Sequence, residues 1–102
     1  MKEASLDRNI FHLDASARTE GSVTRALSQQ LVDALSSAET RVVKRDIGLS
    51  PLPLLTEAWV GANFTPDDAR TDEQRQTLQL SDTLIAEIEA ADTLVLGVPI
   101  YN

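Results

Sequence analysis

Three short apolar runs along the chain have the pattern of β-strands. Asn9–Leu13 is rich in large apolar residues and ends at Asp14, which predicts a buried strand. Thr40–Asp46 places β-branched apolar residues between charged ones, a pattern that favours an exposed or edge strand. Asp92–Pro99 is continuous and β-branched, which is typical of a central parallel strand.

Between these runs, apolar residues recur at the spacing of two amphipathic helices. The apolar positions of the first helix are Val23, Ala26, Leu27, Leu31, Ala34 and Leu35. The second helix is predicted from about Asp72 to Ala90, with Thr71–Gln74 as a capping box before it. Its apolar stripe comprises Leu78, Leu84, Ile85, Ile88 and Ala91. The connection Ile47–Phe64 is interrupted by prolines and glycines, so we expect it to be irregular.

The element order strand, helix, strand, loop, helix, strand predicts an α/β fold with a parallel sheet. We expect one domain over residues 1–102, with strand order 2-1-3 and helices on both faces of the sheet. In that order the third strand lies at an edge, although its sequence is apolar on both faces. Such an edge readily pairs with another chain, so we expect either missing sequence after Asn102 or a partner that covers it.

Composition narrows the possible functions. The 102 residues are 42% hydrophobic and 25% charged, which indicates a globular domain. The 16 acidic and 9 basic residues give a net charge of −7, which argues against an extended nucleic-acid interface. Only Arg70 and Arg75 are basic after residue 51, so an anion site is expected in the first half.

Two further features of the composition exclude whole classes of protein. The absence of cysteine excludes a disulfide, a thiolate metal site and a catalytic thiol. No cluster of His and carboxylates has metal-ligand spacing, so no metal site is expected. The apolar runs are too short to span a bilayer, and the charged start does not lead into a signal peptide. A soluble cytoplasmic protein without a membrane partner is expected.

Two loops are candidates for binding chemistry, because open α/β sheets bind ligands beyond the carboxyl ends of their strands. In the loop after the first strand, Ser16, Arg18, Ser22 and Thr24 surround a predicted helix start and could bind a phosphate. On sequence alone, such hydroxyls more often cap a helix. After the third strand, Pro99–Asn102 offers backbone amides and a tyrosine ring to a flat heterocycle.

Several segments, in this order, resemble the FMN-dependent NADH-azoreductases, also called NADH:quinone oxidoreductases, of the flavodoxin-like fold. These segments are the Ser/Thr-rich loop from Asp14, then Arg45–Ile47, Pro51–Pro53, Leu80–Ile85 and the closing Val98–Asn102. The resemblance covers nearly the whole chain, and its most specific part is the closing segment. It implies that the chain corresponds to the amino-terminal half of such an enzyme.

The resemblance also implies roles for individual residues. The FMN phosphate would be bound by Ser16, Ser22, Val23 and Thr24, and Arg18 stands where some family members carry a basic residue facing the phosphate. The isoalloxazine and ribityl part would be contacted by Ile100, Tyr101 and Asn102. Trp59 and Phe64 are candidates for lining the substrate pocket, although packing or dimer contacts are the more common role of such residues.

The family's mechanism is ping-pong: NADH or NADPH reduces FMN, and the reduced flavin passes two electrons to a quinone or an azo compound. No residue is expected to act as a catalytic acid or base, because the cofactor carries the chemistry. Family enzymes are homodimers. His12, the only histidine, lies inside a predicted strand, where a hydrogen-bonded structural role is more common than catalysis.

Two other functions stay open at this point. The chain could be a non-catalytic fragment that keeps only the fold and dimer contacts, and FMN binding would separate this alternative from the flavoenzyme. A phosphoester hydrolase with Asp14 or Ser16 as nucleophile is the weaker alternative, since no nucleophile elbow, metal-ligand set or general base accompanies them.

Overall fold

Three parallel strands form the sheet. In the computed structural model, which describes residues 8–101, β1 (Arg8–Asp14) lies between β2 (Thr40–Asp46) and β3 (Thr93–Gly97). Each neighbour pairs with β1 in parallel. The predicted α/β class and the predicted strand order 2-1-3 are therefore confirmed, and the strand bounds differ from the predicted ones by no more than two residues.

The strand register brings three chain segments to one edge of the sheet. Asp14, the last residue of β1, is paired with Asp46 on one side and with Gly97 on the other. All three strands thus end together at their carboxyl ends, so the loops that follow them begin side by side.

The core lies between the sheet and α1 (Val23–Leu35). Ile10, Val32 and Val95 form the buried apolar cluster, and Leu35 packs against it. Ile10 and Val95 lie on the same side of the sheet, against α1, because alternate residues of a strand point to the same side and Val95 pairs with His12, two residues after Ile10.

The buried face of α1 differs from the predicted one. Its buried residues are Ser28 and Val32, whereas Leu27 and Leu31 of the predicted stripe are more than half exposed. The apolar spacing was therefore a wrong guide to the orientation of this helix. Ser28 is buried because its hydroxyl bonds two polar side chains of β1.

The described residues fall into two compact units. The first contains the sheet and α1, extends to Leu52 and resumes at Ile88. The second is the helical segment Pro53–Glu87. Among the residues that the structure describes, no helix is both long and apolar enough to cross a membrane.

The second unit contains a helix that the sequence analysis missed. The connection Ile47–Phe64 was expected to be irregular throughout, but Glu57–Phe64 forms α2. Thr56 caps its start by accepting a hydrogen bond from the N–H of Trp59 at 3.1 Å. Periodicity did not reveal α2 because its apolar residues lie on all sides of the helix.

A short 3-10 turn, Asp67–Ala69, leads from α2 to α3 (Asp72–Glu89). The predicted capping box is confirmed: Gln74 N–H donates to Thr71 Oγ1 at 3.1 Å, and Thr71 N–H donates to Gln74 Oε1 at 3.0 Å. Within the predicted apolar stripe, Leu78 is buried and Leu84 is half-buried, while Ile85 and Ile88 remain exposed.

β3 lies at one edge of the described sheet. Val95 is buried against the core, but Leu94 and Leu96, on the opposite face, are about half exposed. That a further segment or a partner covers this edge stays a prediction.

Candidate functional site

Backbone hydrogen bonds tie the carboxyl ends of the three strands together. Ala15 N–H donates to Gly97 O, and Ile47 N–H donates to Asp14 O, both at 2.9 Å. The segment Ala15–Ser22, which we call the phosphate loop because the sequence analysis predicts phosphate binding there, starts from this junction. It therefore lies where the strand order reverses, the position at which open α/β sheets bind ligands.

Three hydroxyls predicted to bind phosphate converge in and beside this loop. Ser16 is 3% exposed, and its Oγ accepts hydrogen bonds from the N–H of Arg18 at 3.1 Å and from the Ser22 hydroxyl at 3.0 Å. The Ser22 and Thr24 hydroxyl oxygens lie 3.3 Å apart. The structure thus brings together Ser16, Ser22 and Thr24.

The phosphate loop ends at the start of α1. Gly21 has a φ of +69°, a left-handed conformation that glycine adopts without strain, and it turns the chain into the helix. Ser22 is the N-cap and accepts from Arg25 N–H at 3.2 Å. The N–H groups of Val23 and Thr24, in the first turn, have no acceptor within the helix. Hydroxyls, N–H groups that lack an acceptor within the helix and the positive end of the helix dipole together suit an oxyanion such as phosphate.

Arg25 is a residue of this site that the sequence analysis missed. Its Nη2 donates to Ser16 O and its Nε to Arg18 O, each at 2.6 Å. The same guanidinium pairs with both carboxylate oxygens of Asp46, with Nη2 at 2.9 Å from Oδ1 and Nη1 bonded to Oδ2. The position of Asp46 at the end of a predicted strand was the available signal, since strand ends meet at one edge.

The ion pair makes stability depend on pH in a specific window. The hydrogen bonds from Arg25, helped by the N–H of Leu49, hold the pKa of Asp46 at about 2 instead of its ordinary 3.8. Because the folded-state pKa is the lower one, this stabilisation is complete above the unfolded pKa and is lost as pH falls towards 2.

We therefore expect the stability difference between the wild type and Asp46→Asn to narrow as pH is lowered from about 5 to about 2. Urea unfolding of both proteins at several pH values measures it. Other carboxylates titrate in both proteins and cancel in the difference. A difference that stays constant across this window would contradict the assignment.

Tyr101 joins the segment after β3 to the phosphate loop. Its hydroxyl accepts a hydrogen bond from Ala17 N–H at 2.9 Å. This bond, with a bond from Ser16 and the charges of Arg18 and Arg25, lowers the pKa of Tyr101.

The other two residues predicted to contact the flavin differ in what the structure describes. The Ile100 side chain is 93% exposed, an accessible apolar surface next to Tyr101. Asn102 lies outside the described residues.

Trp59 and Phe64, the candidates for the substrate pocket, both belong to α2 in the second unit. Trp59 is half-buried, and its Nε1 donates to Ser81 Oγ of α3 at 3.1 Å. Phe64 is 80% exposed. Trp59 thus has a packing role within its own unit, and the substrate-lining role of both residues stays a prediction.

A buried polar cluster lies beneath the phosphate loop. Ser28 Oγ donates to Asp14 Oδ1 at 2.7 Å and lies 3.0 Å from His12 Nε2, while Lys44 Nζ is 3.5 Å from Asp14 Oδ2. Gly97 makes room for it, because a Cβ there would lie 2.6 Å from Asp14 Oδ1. His12 is buried and hydrogen-bonded, as a structural histidine is expected to be. Within residues 8–101, no group of three or more His, Asp or Glu could hold a metal ion.

Comparison with known proteins gives consistent matches. A family model described as flavodoxin-like fold matches residues 8–102. "FMN-dependent NADH:quinone oxidoreductase 1" of Jannaschia sp. (strain CCS1) is 56% identical over 94 residues, which are 92% of this chain and 47% of that protein. The protein of the same name from Hahella chejuensis is 52% identical, over 91% of this chain and 46% of its own length. "FMN-dependent NADH:quinone oxidoreductase" of Erythrobacter litoralis is 45% identical, over 91% of this chain and 47% of its own length. The chain spans about half the length of these curated relatives.

Proposed function

This chain belongs to the flavodoxin-like fold family, and from that premise we propose that it is the amino-terminal part of an FMN-dependent oxidoreductase. The observation that carries the proposal is the convergence of three hydroxyls with the start of α1 at the switch point of the sheet. The names of the relatives support FMN as the cofactor and NADH and quinone as the substrates.

The residues present fit the phosphate end of FMN. Hydroxyl and N–H donors are the groups that recognise a phosphate, and the start of a helix favours its negative charge. In our proposal the phosphate is held by Ser16, Arg18, Ser22, Val23 and Thr24. The isoalloxazine and ribityl part is held by Ile100, Tyr101 and Asn102.

When bound, FMN supplies two-electron transfer from NADH or NADPH to a quinone or an azo compound in a ping-pong cycle. The chain's own residues bind the flavin and orient it. Tyr101, held by Ala17 N–H, places an aromatic ring beside the phosphate loop, and Ile100 adds apolar surface. Pocket lining by Trp59 and Phe64, a homodimeric assembly and a cytoplasmic location belong to the same proposal and rest on the family resemblance.

Replacing Ser22 by alanine tests the phosphate site. We expect Ser22→Ala to weaken FMN binding about tenfold, because a donor to a charged group is lost. FMN binding is measured by quenching of flavin fluorescence.

Tyr101→Ala should weaken the binding of FMN and of riboflavin alike, since both ligands carry the isoalloxazine ring.

The matched control is Thr56→Ala. Thr56 caps α2 as Ser22 caps α1, so each substitution should lower stability by about 1 kcal/mol. Thr56→Ala should leave FMN affinity unchanged. Equal losses of FMN affinity in both variants would show that Ser22 acts only as a helix cap and does not bind the phosphate. A folded wild-type protein that does not bind FMN would contradict the proposed function and favour the non-catalytic alternative.

The structure gives no support to a phosphoester hydrolase. Asp14 is 2% exposed, and its carboxylate is bonded to Ser28 and Lys44. Ser16 is equally buried, and its Oγ is hydrogen-bonded to Arg18 and Ser22 within the phosphate loop. Neither side chain is presented as a nucleophile. Release of phosphate from a model ester without added flavin would be the result in favour of a hydrolase.

A further inference from the structure

We propose that Arg25, held by Asp46, is a positioning residue that sets the conformation of the phosphate loop and does not itself bind the phosphate. The proposal rests on the proposed function, since it concerns how that loop receives the phosphate of FMN. The observations that carry it are the partners of the guanidinium and the packing of Gly48 against the loop.

The donors of Arg25 are already committed to the protein. Of the five N–H donors of a guanidinium, four are bonded: one to Arg18 O, one to Ser16 O and two to the carboxylate of Asp46. The paired donors that a guanidinium offers to an oxyanion are therefore occupied. A direct contact with phosphate would require Arg25 to give up bonds that hold the loop.

The charge of Arg25 is also balanced. Asp46 accepts two hydrogen bonds from it, and the two side chains are only 16% and 18% exposed. The pair as a whole carries no net charge towards a ligand. Arg18, whose side chain is exposed, is the better candidate for direct attraction of a phosphate.

What Arg25 controls is the direction of two carbonyl groups. Ser16 O and Arg18 O both point to the guanidinium, so neither acceptor is free to turn towards an incoming anion, which it would repel. Ser16 also carries one of the three converging hydroxyls, and the backbone bond fixes where that hydroxyl stands. Arg25 thereby keeps donors, and not acceptors, facing the site.

Gly48, just after β2, packs against the Ser16 carbonyl group that Arg25 binds. A Cβ at this position would lie 1.9 Å from Ser16 O and 2.7 Å from Arg25 Nη2, so the turn packs directly on this bonded pair. Through Asp46 and Gly48, the residues at the end of β2 therefore help to fix the conformation of the loop that follows β1. The loop conformation depends on these packed contacts between distant segments.

The test compares the affinities of FMN and riboflavin, which differ by the phosphate. The ratio of the FMN affinity to the riboflavin affinity reports how much the phosphate contributes to binding. This ratio is insensitive to a general loss of stability. Arg25→Lys keeps the positive charge but cannot bond two carbonyls and a carboxylate in a fork. We expect it to lower the ratio about tenfold or more.

Asp46→Asn separates positioning from direct binding. If Arg25 bound the phosphate directly, removing the acid would free its charge and raise the ratio. In the positioning role, losing the carboxylate loosens the guanidinium and lowers the ratio. Arg8→Lys is the matched control, because Arg8 donates to Leu35 O at the other end of α1 at 3.2 Å. It should leave the ratio unchanged.

Hydrogen exchange of the ligand-free protein gives a second readout. The amides of the phosphate loop should exchange faster in Arg25→Lys and Asp46→Asn than in the wild type, and not in Arg8→Lys. An unchanged ratio in Arg25→Lys, or a raised ratio in Asp46→Asn, would overturn the proposal. If Arg25→Lys fails to fold, Asp46→Asn decides. A wild type that binds FMN no better than riboflavin would instead refute the phosphate site itself, and exchange would still report on the loop.

Discussion

Gly48→Ala is expected to destabilise the protein by more than about 3 kcal/mol, because the added Cβ meets backbone that cannot move independently. The Cβ would lie 1.9 Å from Ser16 O, far inside van der Waals contact. Relief of this clash requires the phosphate loop to shift away from Arg25. Thermal or urea unfolding measures the loss, and in any folded fraction the preference for FMN over riboflavin should fall as well.

Gly61→Ala provides the matched control. Gly61 lies inside α2, and a Cβ there meets nothing within 4 Å. Alanine is the better helix former, so this substitution should stabilise the protein by up to about 1 kcal/mol. If both glycine substitutions proved neutral, the close approach of Gly48 to Ser16 would be refuted.

Asp14→Ala is the second substitution for which we expect a large effect, a loss of about 2–4 kcal/mol. The Asp14 carboxylate is buried and bonded to Ser28 and Lys44, with His12 Nε2 3.3 Å from Oδ1. Removing it takes away the 2.7 Å hydrogen bond of the buried Ser28 hydroxyl and the carboxylate that lies beside His12 and Lys44, so the interactions that hold a buried polar cluster together are lost. Urea unfolding at neutral pH measures the effect.

Asp33→Ala is the comparison for this prediction. Asp33 lies in the exposed part of α1, where its side chain accepts an exposed hydrogen bond from Gln29. Its removal should change stability by no more than about 0.5 kcal/mol. If Asp14→Ala were as mild as Asp33→Ala, the buried cluster would contribute little to the fold. Asp14→Asn, which keeps an oxygen acceptor, should fall between the two.

Features that depend on neighbouring residues were predictable from the sequence. The strands followed from short apolar runs, and the capping box at Thr71 and Gln74 joins residues three apart. The hydroxyls of Ser16, Ser22 and Thr24 also lie within one short segment, so the sequence alone suffices to group them as one candidate site.

Two errors show where local pattern fails. α2 was missed because its apolar residues have no helical period, although Thr56 before it is a helix cap. The face of α1 was misjudged because a polar residue, Ser28, occupies the core. Ser28 is buried for its hydrogen bonds to β1, and hydrophobicity alone cannot indicate such a partner.

The sequence by itself determined the α/β class, the order of the three strands, α1 and α3 along the chain, and the grouping of hydroxyls in the loop after β1, because periodicity and capping act over a few residues. Only the tertiary structure decided what shapes that loop. Arg25 meets Asp46 across 21 positions of the chain, and Tyr101 meets Ala17 across 84. Such pairs form only when parallel pairing brings the carboxyl ends of the three strands to one edge, and no local pattern encodes a contact between segments so far apart.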